Sequence, residues 1–411
     1  MSSTRQTKLP AALGYRMPAE WETHVSTWLA WPHFRGDWPG KFEPIAWVYA
    51  EIIRNLAKHE RVDLIVNSER VEKDARAVLE KADALCDHVV FHRWRTDRVW
   101  TRDSGCIFLT DPRLAPKERA RTWGTETPDK DSSSNADREA DPKENRVNSS
   151  LLALHFRFNA WAKYDNYKLD AKLGARMAKS AGVRVVHPIF AKESSDNRSS
   201  ADRLAGERVV LEGGSIDVNG RGTLITTEEC LLSTTQQRNP HMDRTAYEQI
   251  FADYFGVQTV VWLGDGIEGD DTHGHVDDLA RFVAPDTVVT MVEPNERDEN
   301  YSALYHNLGR LRAARDQDGQ RLNVVEIPMP RPVLFDGRRL PASYANFYIA
   351  NGVVLVPVFN DPNDRIALNT LAQVFPAREI VPIYSGDLIW GFGALHCMTQ
   401  QEPAMELVRA V

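Results

Sequence analysis

Hydrophobic and polar positions along the chain repeat one order of segments five times. Each unit begins with extended stretches rich in Val, Ile and Phe, continues with apolar residues at the helical period, and ends in a short apolar strand. The predicted helices lie near 44–59, 165–180, 242–255, 300–314 and 363–375. The strands that follow them read VDLIV, VRVVH, TVVWL, NVVEI and EIVPI. Turn residues at 219–222, 284–286 and 351–352 predict hairpins within the extended stretches.

Five similar units predict an α/β fold that closes into a five-bladed, pseudo-symmetric propeller. The segment LIWGFGALHC (388–397) is expected to be the final strand that closes the ring. Residues at the first extended segments or on the closing segment would then meet near the ring axis: Trp31, Asp103, Glu212, His275, Asp277 and Cys397. The repeat therefore predicts one central pocket lined by residues that are far apart in sequence.

Two stretches interrupt the pattern, at 111–150 and 191–206. Both are crowded with charged and small polar residues, so neither can bury enough apolar surface to offset the entropy of ordering. The repeat continues across both stretches. We therefore predict a single domain over residues 1–411 that carries two mobile surface insertions.

Composition and charge narrow the classes of partner. The net charge of −8 argues against a nucleic-acid partner, which usually selects a basic surplus. Neither an apolar run long enough for a membrane helix nor the apolar core of a signal peptide is found, so a cytoplasmic location is expected. The sequence leaves open whether the protein forms a homo-oligomer. The four cysteines, at 86, 106, 230 and 397, form no CxxC pair, so a zinc knuckle is not predicted.

The segment GFGALHCMTQQEP (391–403) contains a candidate nucleophile, Cys397. The Gly-x-Gly sequence before the cysteine allows the backbone to lie close to a ligand or to another backbone. His396 is not expected to be the partner base, because neighbouring residues on a strand point to opposite faces. A free cysteine is more often a small buried hydrophobe, and this segment alone leaves both interpretations open.

The segment GDDTHGHVDDLARF (269–282) is dense in ionisable groups. If it is extended, His273, His275 and Asp277 share one face, and a His beside a carboxylate can transfer protons and bind a cation. The same three residues also resemble the ligands of a metal-dependent hydrolase. In the segments RVWTRDSGCIF (98–108) and LEGGSID (211–217), Asp103 and Glu212 are further candidates, although an ion pair or an exposed turn would explain either.

Long motifs in the chain resemble those of the agmatine deiminases, also called the Porphyromonas-type peptidylarginine deiminase family. The resemblance covers nearly all of the chain outside the two insertions, and these segments carry it: PAEWETHVSTWLAWP (18–32), VWTRDSG (99–105), FRFNAWAKY (156–164), LEGGSIDVNGRGTLITTEECLLS (211–233), RNP (238–240), DDTHGHVDDLARFV (270–283), LPASYANFYIAN (340–351) and WGFGALHCMTQQEP (390–403). The resemblance implies a five-bladed α/β propeller and guanidine hydrolysis without a metal or organic cofactor.

The family's motifs assign roles to individual residues of this chain. Cys397 is implied to attack the guanidinium carbon, and His275 to act as general acid and base. Asp103 and Asp277 are implied to hold the guanidinium nitrogens. The expected reaction converts agmatine and water into N-carbamoylputrescine and ammonia through a covalent amidino-cysteine.

The remaining assignments concern the pocket. The resemblance places Glu212 near the reacting groups and Trp100 against the substrate. The chain has Asp271 where relatives often have Glu and His273 where they often have Asn or Asp, and this region is expected to contact the substrate tail. Four carboxylates, including Asp271, are expected to repel the carboxylate of arginine, which favours agmatine. Deimination of arginine or peptidyl-arginine and the metal-dependent hydrolase remain alternatives.

Overall fold

The computed structural model of the chain describes residues 8–111, 148–190 and 206–404. Most of each predicted insertion lies outside the described residues. The first insertion was predicted to run to residue 150, but Asn148–Leu154 is a strand that pairs with Ile107–Thr110. Its apolar half, LLAL, belongs to the sheet, and the backbone pairing extends into the polar residues before it.

Twenty strands and eight α-helices are found in the described residues. The strands are β1 (His24–Ala30), β2 (Arg61–Val66), β3 (Val89–Arg93), β4 (Ile107–Thr110), β5 (Asn148–Leu154), β6 (Val183–Val186), β7 (Ile189–Phe190), β8 (Glu207–Arg208), β9 (Asp217–Val218), β10 (Thr223–Thr227), β11 (Thr259–Leu263), β12 (Ala280–Ala284), β13 (Thr287–Val292), β14 (Asn323–Pro328), β15 (Leu334–Phe335), β16 (Arg338–Arg339), β17 (Tyr348–Ala350), β18 (Val353–Val358), β19 (Glu379–Tyr384) and β20 (Gln400–Pro403). The helices are α1 (Phe42–Leu56), α2 (Glu69–Lys81), α3 (Thr101–Ser104), α4 (Leu173–Ser180), α5 (Glu228–Leu232), α6 (Arg244–Ile250), α7 (Tyr301–Ala313) and α8 (Asp364–Val374).

Five of the described sheets share one arrangement, which gives the chain a mixed α/β fold. In four of them the middle strand pairs antiparallel with the strand before it and parallel with the strand after it: β4-β5-β6, β9-β10-β11, β12-β13-β14 and β17-β18-β19. Helices connect the two parallel strands each time, as a parallel connection requires. In the fifth sheet, β20-β1-β2-β3, the last strand pairs antiparallel with the first.

The predicted hairpin turns are confirmed. The turn at 219–222 joins β9 to β10, and the turn at 351–352 joins β17 to β18. Gly220 and Gly352 have φ angles of 70° and 74°, a left-handed conformation that glycine adopts without steric cost. Glycine at these positions therefore allows the tight reversal that aligns each pair of strands.

Two predicted elements were wrong in detail, and helix α2 was missing from the prediction. The segment 388–397 is not a strand, since Leu388–Gly391 forms a 3-10 turn and the closing strand is β20. The helix predicted from 165 begins only at Leu173, after a 3-10 turn at Asp170–Lys172. The Asp170 carboxylate accepts the backbone N–H groups of Asp97 and Arg98 at 2.7 and 3.0 Å, and these bonds hold the start of the segment against a distant part of the chain. Helix α2, capped by the Ser68 side chain, was not predicted.

Trp31 was also misplaced by the repeat. It follows β1, which is a middle strand rather than a first strand, and its ring packs edge-on against Tyr49 with centroids 5.9 Å apart. The largest core cluster extends from this region to Trp100 and Cys397. The candidate nucleophile therefore lies at the edge of a well-packed core. None of the described helices is both long and apolar enough to span a bilayer.

Candidate active site

The predicted site residues lie on short irregular or helical segments just before the first strand of a sheet. Asp103 is in α3, before β4, and Glu212 precedes β9. His275 and Asp277 lie at a 3-10 turn before β12, and Cys397 lies before β20. Equivalent positions of different sheets therefore supply these side chains, as the repeat predicted.

The structure brings these five side chains together. His275 Nδ1 lies 4.0 Å from Asp103 Oδ1 and 3.9 Å from Asp277 Oδ1, and its Nε2 lies 3.9 Å from Glu212 Oε2. The Cys397 thiol lies 3.7 Å from Asp277 Oδ2, the oxygen to which it can donate. None of the five residues is more than 6% exposed. A thiol, an imidazole and three carboxylates therefore form one buried cluster.

Gly214 makes this close arrangement sterically possible. A Cβ atom at this position would lie 2.6 Å from His275 Nδ1 and 3.0 Å from both Asp103 Oδ1 and Asp277 Oδ2. The Gly214 N–H donates to Asp103 Oδ1 at 3.1 Å. The glycine in LEGG is therefore needed because the imidazole and both carboxylates approach its backbone.

Several buried polar atoms of the cluster have no hydrogen-bond partner within the described part of the chain. They are both ring nitrogens of His275, Oε2 of Glu212 and Oδ1 of Asp277. Buried polar atoms are normally paired, and those that are not often mark a ligand site. These atoms can receive or donate hydrogen bonds when a polar ligand enters.

Burial and mutual charge shift the pKa values of the cluster. Burial, with the charges of Asp277 and Glu212, raises the pKa of Asp103 to about 6 despite the opposing effect of His275. Burial alone would lower the pKa of His275, but the charge of Asp103 raises it well above its usual range. Burial, followed by the charge of Asp277, raises the pKa of the Cys397 thiol. The empty site therefore favours a neutral thiol beside a protonated imidazole.

Asn346 holds the nucleophile from the side and was not predicted. Its Nδ2 donates to Cys397 Sγ at 3.1 Å and to Asp278 Oδ1 at 3.0 Å. Its Oδ1 accepts the backbone N–H groups of His396 and Cys397 at 3.0 and 3.3 Å. Asn346 precedes β17 and so occupies, in its own sheet, the position that the other site residues occupy in theirs. Aligning the five repeats would have identified it.

His396 supports the site through Asp277. Its Nδ1 lies 2.7 Å from Asp277 Oδ2 and its Nε2 lies 2.8 Å from Glu20 Oε2. Arg102 Nη2 also donates to Glu20 Oε2, at 3.2 Å, so that its guanidinium points away from Asp103, its neighbour in sequence. The carboxylate of Glu20 is therefore the centre of a buried network behind the site. Nothing in the local sequence around Glu20 indicated this role.

A pocket opens onto the cluster, and both Asp103 and Cys397 line it. Its aromatic lining includes Trp100, as predicted. The other aromatic residues are Trp161, Tyr164, Phe335, Trp390 and Phe392. Trp161 also donates its ring N–H to Asp103 Oδ2 at 2.9 Å. The pocket combines aromatic walls with an acidic floor, which suits a cation.

Asp271 lines this pocket, but its charge is not free. Lys163 Nζ and the Tyr164 hydroxyl each lie 2.6 Å from its carboxylate oxygens. Because the ammonium group of Lys163 already pairs with Asp271, this carboxylate is expected to repel an anionic substrate less than the sequence suggested. Arg98 and Arg338 also line the pocket, so positive as well as negative side chains face its interior.

The ligand set of the alternative metal-dependent hydrolase is not assembled. His273 has a φ angle of 64°, and its ring lies against Glu229 and Ser233, with Nδ1 3.3 Å from Glu229 Oε1 and Nε2 3.1 Å from Ser233 Oγ. His273 therefore turns away from His275 and Asp277. The extended conformation on which the shared face depended is not found, since a 3-10 turn begins at Val276.

Known proteins resemble this chain over nearly its full length. An agmatine deiminase of Stutzerimonas stutzeri (strain A1501) is 32% identical, over 98% of this chain and 99% of that protein. One from Ectopseudomonas mendocina (strain ymp) is 30% identical with the same coverage. Among solved structures, an agmatine deiminase of Enterococcus faecalis has a TM-score of 0.78 and 26% identity, covering 98% of this chain and 99% of that one.

The family model described as Porphyromonas-type peptidyl-arginine deiminase matches residues 16–403. This range includes every residue of the buried cluster and all the segments whose motifs resemble those of the family. With a family match over most of the chain and relatives that are at least 30% identical over almost all of it, the chain belongs to the Porphyromonas-type peptidyl-arginine deiminase family.

Proposed function

We propose that the chain hydrolyses agmatine to N-carbamoylputrescine and ammonia through a covalent amidino-cysteine. The observation that carries this proposal is the cluster of Cys397, His275, Asp103 and Asp277 at the floor of an aromatic pocket. Several relatives that match nearly the whole chain are agmatine deiminases. A serine variant of an agmatine deiminase from C. jejuni, with TM-score 0.73, was solved with substrate bound.

We also propose that the five sheets form the blades of one closed ring and that residues 1–411 form one catalytic domain. Two observations support the ring. In each sheet, the segment just before the first strand carries a site residue. In addition, β20, near the end of the described chain, pairs with β1.

Substrate binding comes first in the proposed mechanism. Asp277 Oδ1 has no protein partner among the described residues and can accept a guanidinium N–H. Asp103 already accepts from Trp161 and Gly214, and an ionised carboxylate has lone pairs left for the substrate. Two carboxylates clamp the planar cation through charge-assisted hydrogen bonds, and Trp100 packs against it. This fixes the guanidinium carbon against the thiol, which lowers the barrier.

Cation binding also activates the nucleophile. Burial and nearby carboxylates keep the pKa of Cys397 high in the empty site. A bound guanidinium offsets those negative charges, so the thiol loses its proton more easily. Cys397 Sγ then forms a bond to the guanidinium carbon. The proton that the thiol loses passes to water in the pocket, so that Asp277 stays ionised and keeps holding the guanidinium.

His275 moves the protons of the two later steps. As an imidazolium it donates to a terminal substrate nitrogen, the C–N bond breaks, and ammonia leaves. The neutral imidazole then takes a proton from water, and the resulting hydroxide attacks the amidino carbon. The C–S bond breaks, the hydroxyl proton of the tetrahedral intermediate passes to the departing sulfur, and the thiol is restored as the ureido product leaves. Glu212 stands beside Nε2 and stabilises the charged ring.

Asp271, with its partners Lys163 and Tyr164, is proposed to contact the substrate tail at the pocket wall. The amine end of agmatine would compete with Lys163 for this carboxylate. Free arginine would present a carboxylate there instead. Because Arg98 and Arg338 also line the pocket, deimination of arginine or peptidyl-arginine is the second candidate.

One assay tests these proposals together. Ammonia release is measured from agmatine, arginine and a peptidyl-arginine with the wild type and with Cys397→Ser. We expect the highest kcat/KM for agmatine and loss of turnover in the variant, because a hydroxyl is far less acidic than a thiol. Mass spectrometry of a quenched reaction should locate the adduct at Cys397.

Each failure identifies the assumption that is wrong. Turnover by Cys397→Ser, or an adduct at Cys86, would reject the nucleophile. Preference for arginine would reject agmatine and leave only the deiminase reaction. Loss of activity after exhaustive chelation would favour a metal-dependent hydrolase, whereas the proposed chemistry predicts no loss.

A further inference from the structure

A second thiol, that of Cys230, lies near the imidazole of the site. Cys230 is in α5, where its backbone N–H donates to the capping hydroxyl of Thr227 at 3.1 Å, and the residue is 1% exposed. One ligand atom each from Glu212, Cys230 and His275 lies within 4.8 Å of the other two. Among the described residues, these are the ones that form such a three-membered group of potential metal ligands.

Two of these side chains have unpaired atoms in this region. Glu212 Oε2 and His275 Nε2 lie 3.9 Å apart, and neither has a hydrogen-bond partner among the described residues. Arg238 pairs with the other carboxylate oxygen, Oε1, at 3.1 Å, and so leaves Oε2 available. Both residues are at most 1% exposed. The charged ring and the carboxylate attract each other at 3.9 Å, but neither atom has a hydrogen bond among the described residues, and a metal ion that replaces the ring proton would bind both atoms directly.

The donor set identifies the class of ligand. A thiolate, an imidazole nitrogen and a carboxylate oxygen are typical ligands of Zn²⁺, and three protein ligands leave one position of a tetrahedron open. Bond lengths of about 2.0 to 2.3 Å place neighbouring ligand atoms roughly 3.4 Å apart. The observed 3.9 Å between the His275 and Glu212 atoms would shorten by about half an ångström, and the Cys230 sulfur, within 4.8 Å of both ligand atoms, would also move toward the ion.

We infer that Glu212, Cys230 and His275 form a site for a thiophilic divalent metal ion such as Zn²⁺, and that its occupation reversibly blocks the deiminase reaction. The binding half of this inference is independent of the proposed reaction, and the inhibitory half rests on it. The positive charge of Arg238 opposes the ion, but Asp103 and Asp277 face the same imidazole and offset that charge.

The different surroundings of the two ring nitrogens of His275 explain why the metal ion would inhibit the reaction. Nδ1 faces Asp103 and Asp277, where the substrate is proposed to bind, and Nε2 faces Glu212. With a metal on Nε2, the single remaining ring proton stays on Nδ1. The ring then has no lone pair with which to take a proton from water. Substrate can still enter, but the later proton transfers stop.

Metal binding is measured directly, by competition between the protein and a chromogenic chelator for Zn²⁺. The proteins compared are the wild type, Cys397→Ser, Cys230→Ser and Cys86→Ser. We expect one tight equivalent in the wild type, in Cys397→Ser and in Cys86→Ser, and affinity at least roughly 100-fold weaker in Cys230→Ser. Co²⁺ gives a second readout. Its thiolate charge-transfer absorbance should appear in Cys397→Ser and be absent in the double variant that carries both Cys397→Ser and Cys230→Ser. In the active proteins, Zn²⁺ should inhibit and a chelator should restore turnover.

The outcomes separate the inference from the proposed function. Absence of tight Zn²⁺ binding by the wild type overturns it. Loss of binding in Cys397→Ser with retention in Cys230→Ser also overturns it, because the metal would then sit on the nucleophile. If Cys230→Ser does not fold, Glu212→Gln must weaken binding instead. Full turnover by Cys397→Ser would reject the proposed function while leaving the metal measurement valid.

Discussion

Replacing Gly214 by Ala should disable the site while leaving the fold largely intact. The added Cβ would lie 2.6 Å from His275 Nδ1 and 3.0 Å from oxygens of Asp103 and Asp277. An ordinary contact of this kind begins near 3.4 Å. The imidazole must therefore move by several tenths of an ångström, and both carboxylates must also give way. The backbone N–H to Asp103 remains in the variant, so the perturbation is steric.

The size of the effect follows from how strictly the reaction needs its geometry. A misplacement of about 1 Å in a reacting group costs on the order of 100-fold in rate. We therefore expect kcat/KM of Gly214→Ala to fall roughly 100-fold, equivalent to about 2.7 kcal/mol of transition-state stabilisation. Forcing an extra methyl into a packed site costs about 1–3 kcal/mol of stability. A folded variant with little activity is the expected result.

The assay combines steady-state ammonia release with urea unfolding. Gly309→Ala is the matched control, because Gly309 lies within α7, is exposed, and has no atom within 4 Å of the place that an added Cβ would occupy. That control should keep full activity and gain up to about 1 kcal/mol of stability, since Ala favours a helix over Gly. Wild-type kcat/KM in Gly214→Ala would refute the view that these three groups must keep their positions around Nδ1.

Three further predictions concern other parts of the molecule. Asn346→Ala should lower kcat roughly 100-fold with a smaller change in KM, because Cys397 loses its side-chain and backbone partner; an unchanged kcat would contradict this. Alkylation of Cys397 by iodoacetamide should be slow at neutral pH and accelerate as pH rises, because burial and the charge of Asp277 raise the thiol pKa; a fast, pH-independent reaction would contradict this. Burial lowers the pKa of His155 from 6.5 to about 4 in the folded protein. Below pH 6.5 the unfolded chain therefore binds a proton that the folded protein does not bind until the pH nears 4, and the free energy of unfolding should fall, by about 2 kcal/mol at pH 5. Urea unfolding at pH 7 and pH 5 measures this loss, and His155→Gln should reduce it.

Local patterns in the sequence were sufficient for the units of the fold. Helices α7 and α8 begin and end within a residue or two of the predicted limits, because apolar periodicity and flanking turn residues act over short distances. The glycine turns that join β9 to β10 and β17 to β18 are local for the same reason. The segment 165–180 was mispredicted, and a distant interaction, from the Asp170 carboxylate to the backbone at 97–98, holds the start of this segment.

The five side chains of the buried cluster could also be selected from the sequence, because each stands in a distinctive motif at a similar place in a repeat. Their partners could not. Asn346 and Glu20 contact the site from positions far away in sequence, and their local context is that of ordinary polar residues. Asp271 was identified correctly as a pocket residue, but its pairing with Lys163 became visible only when two distant segments were placed side by side.

The sequence by itself determined the repeated unit and the candidate residues for the site, because these depend on residue type and short-range spacing. Tertiary structure alone decided which nitrogen of His275 faces Asp103 and which faces Glu212, and how close Gly214 comes to the ring. Those relations arise from the packing of separate sheets against one another. A shift of about 1 Å in that packing would change the chemistry without altering any pattern in the sequence.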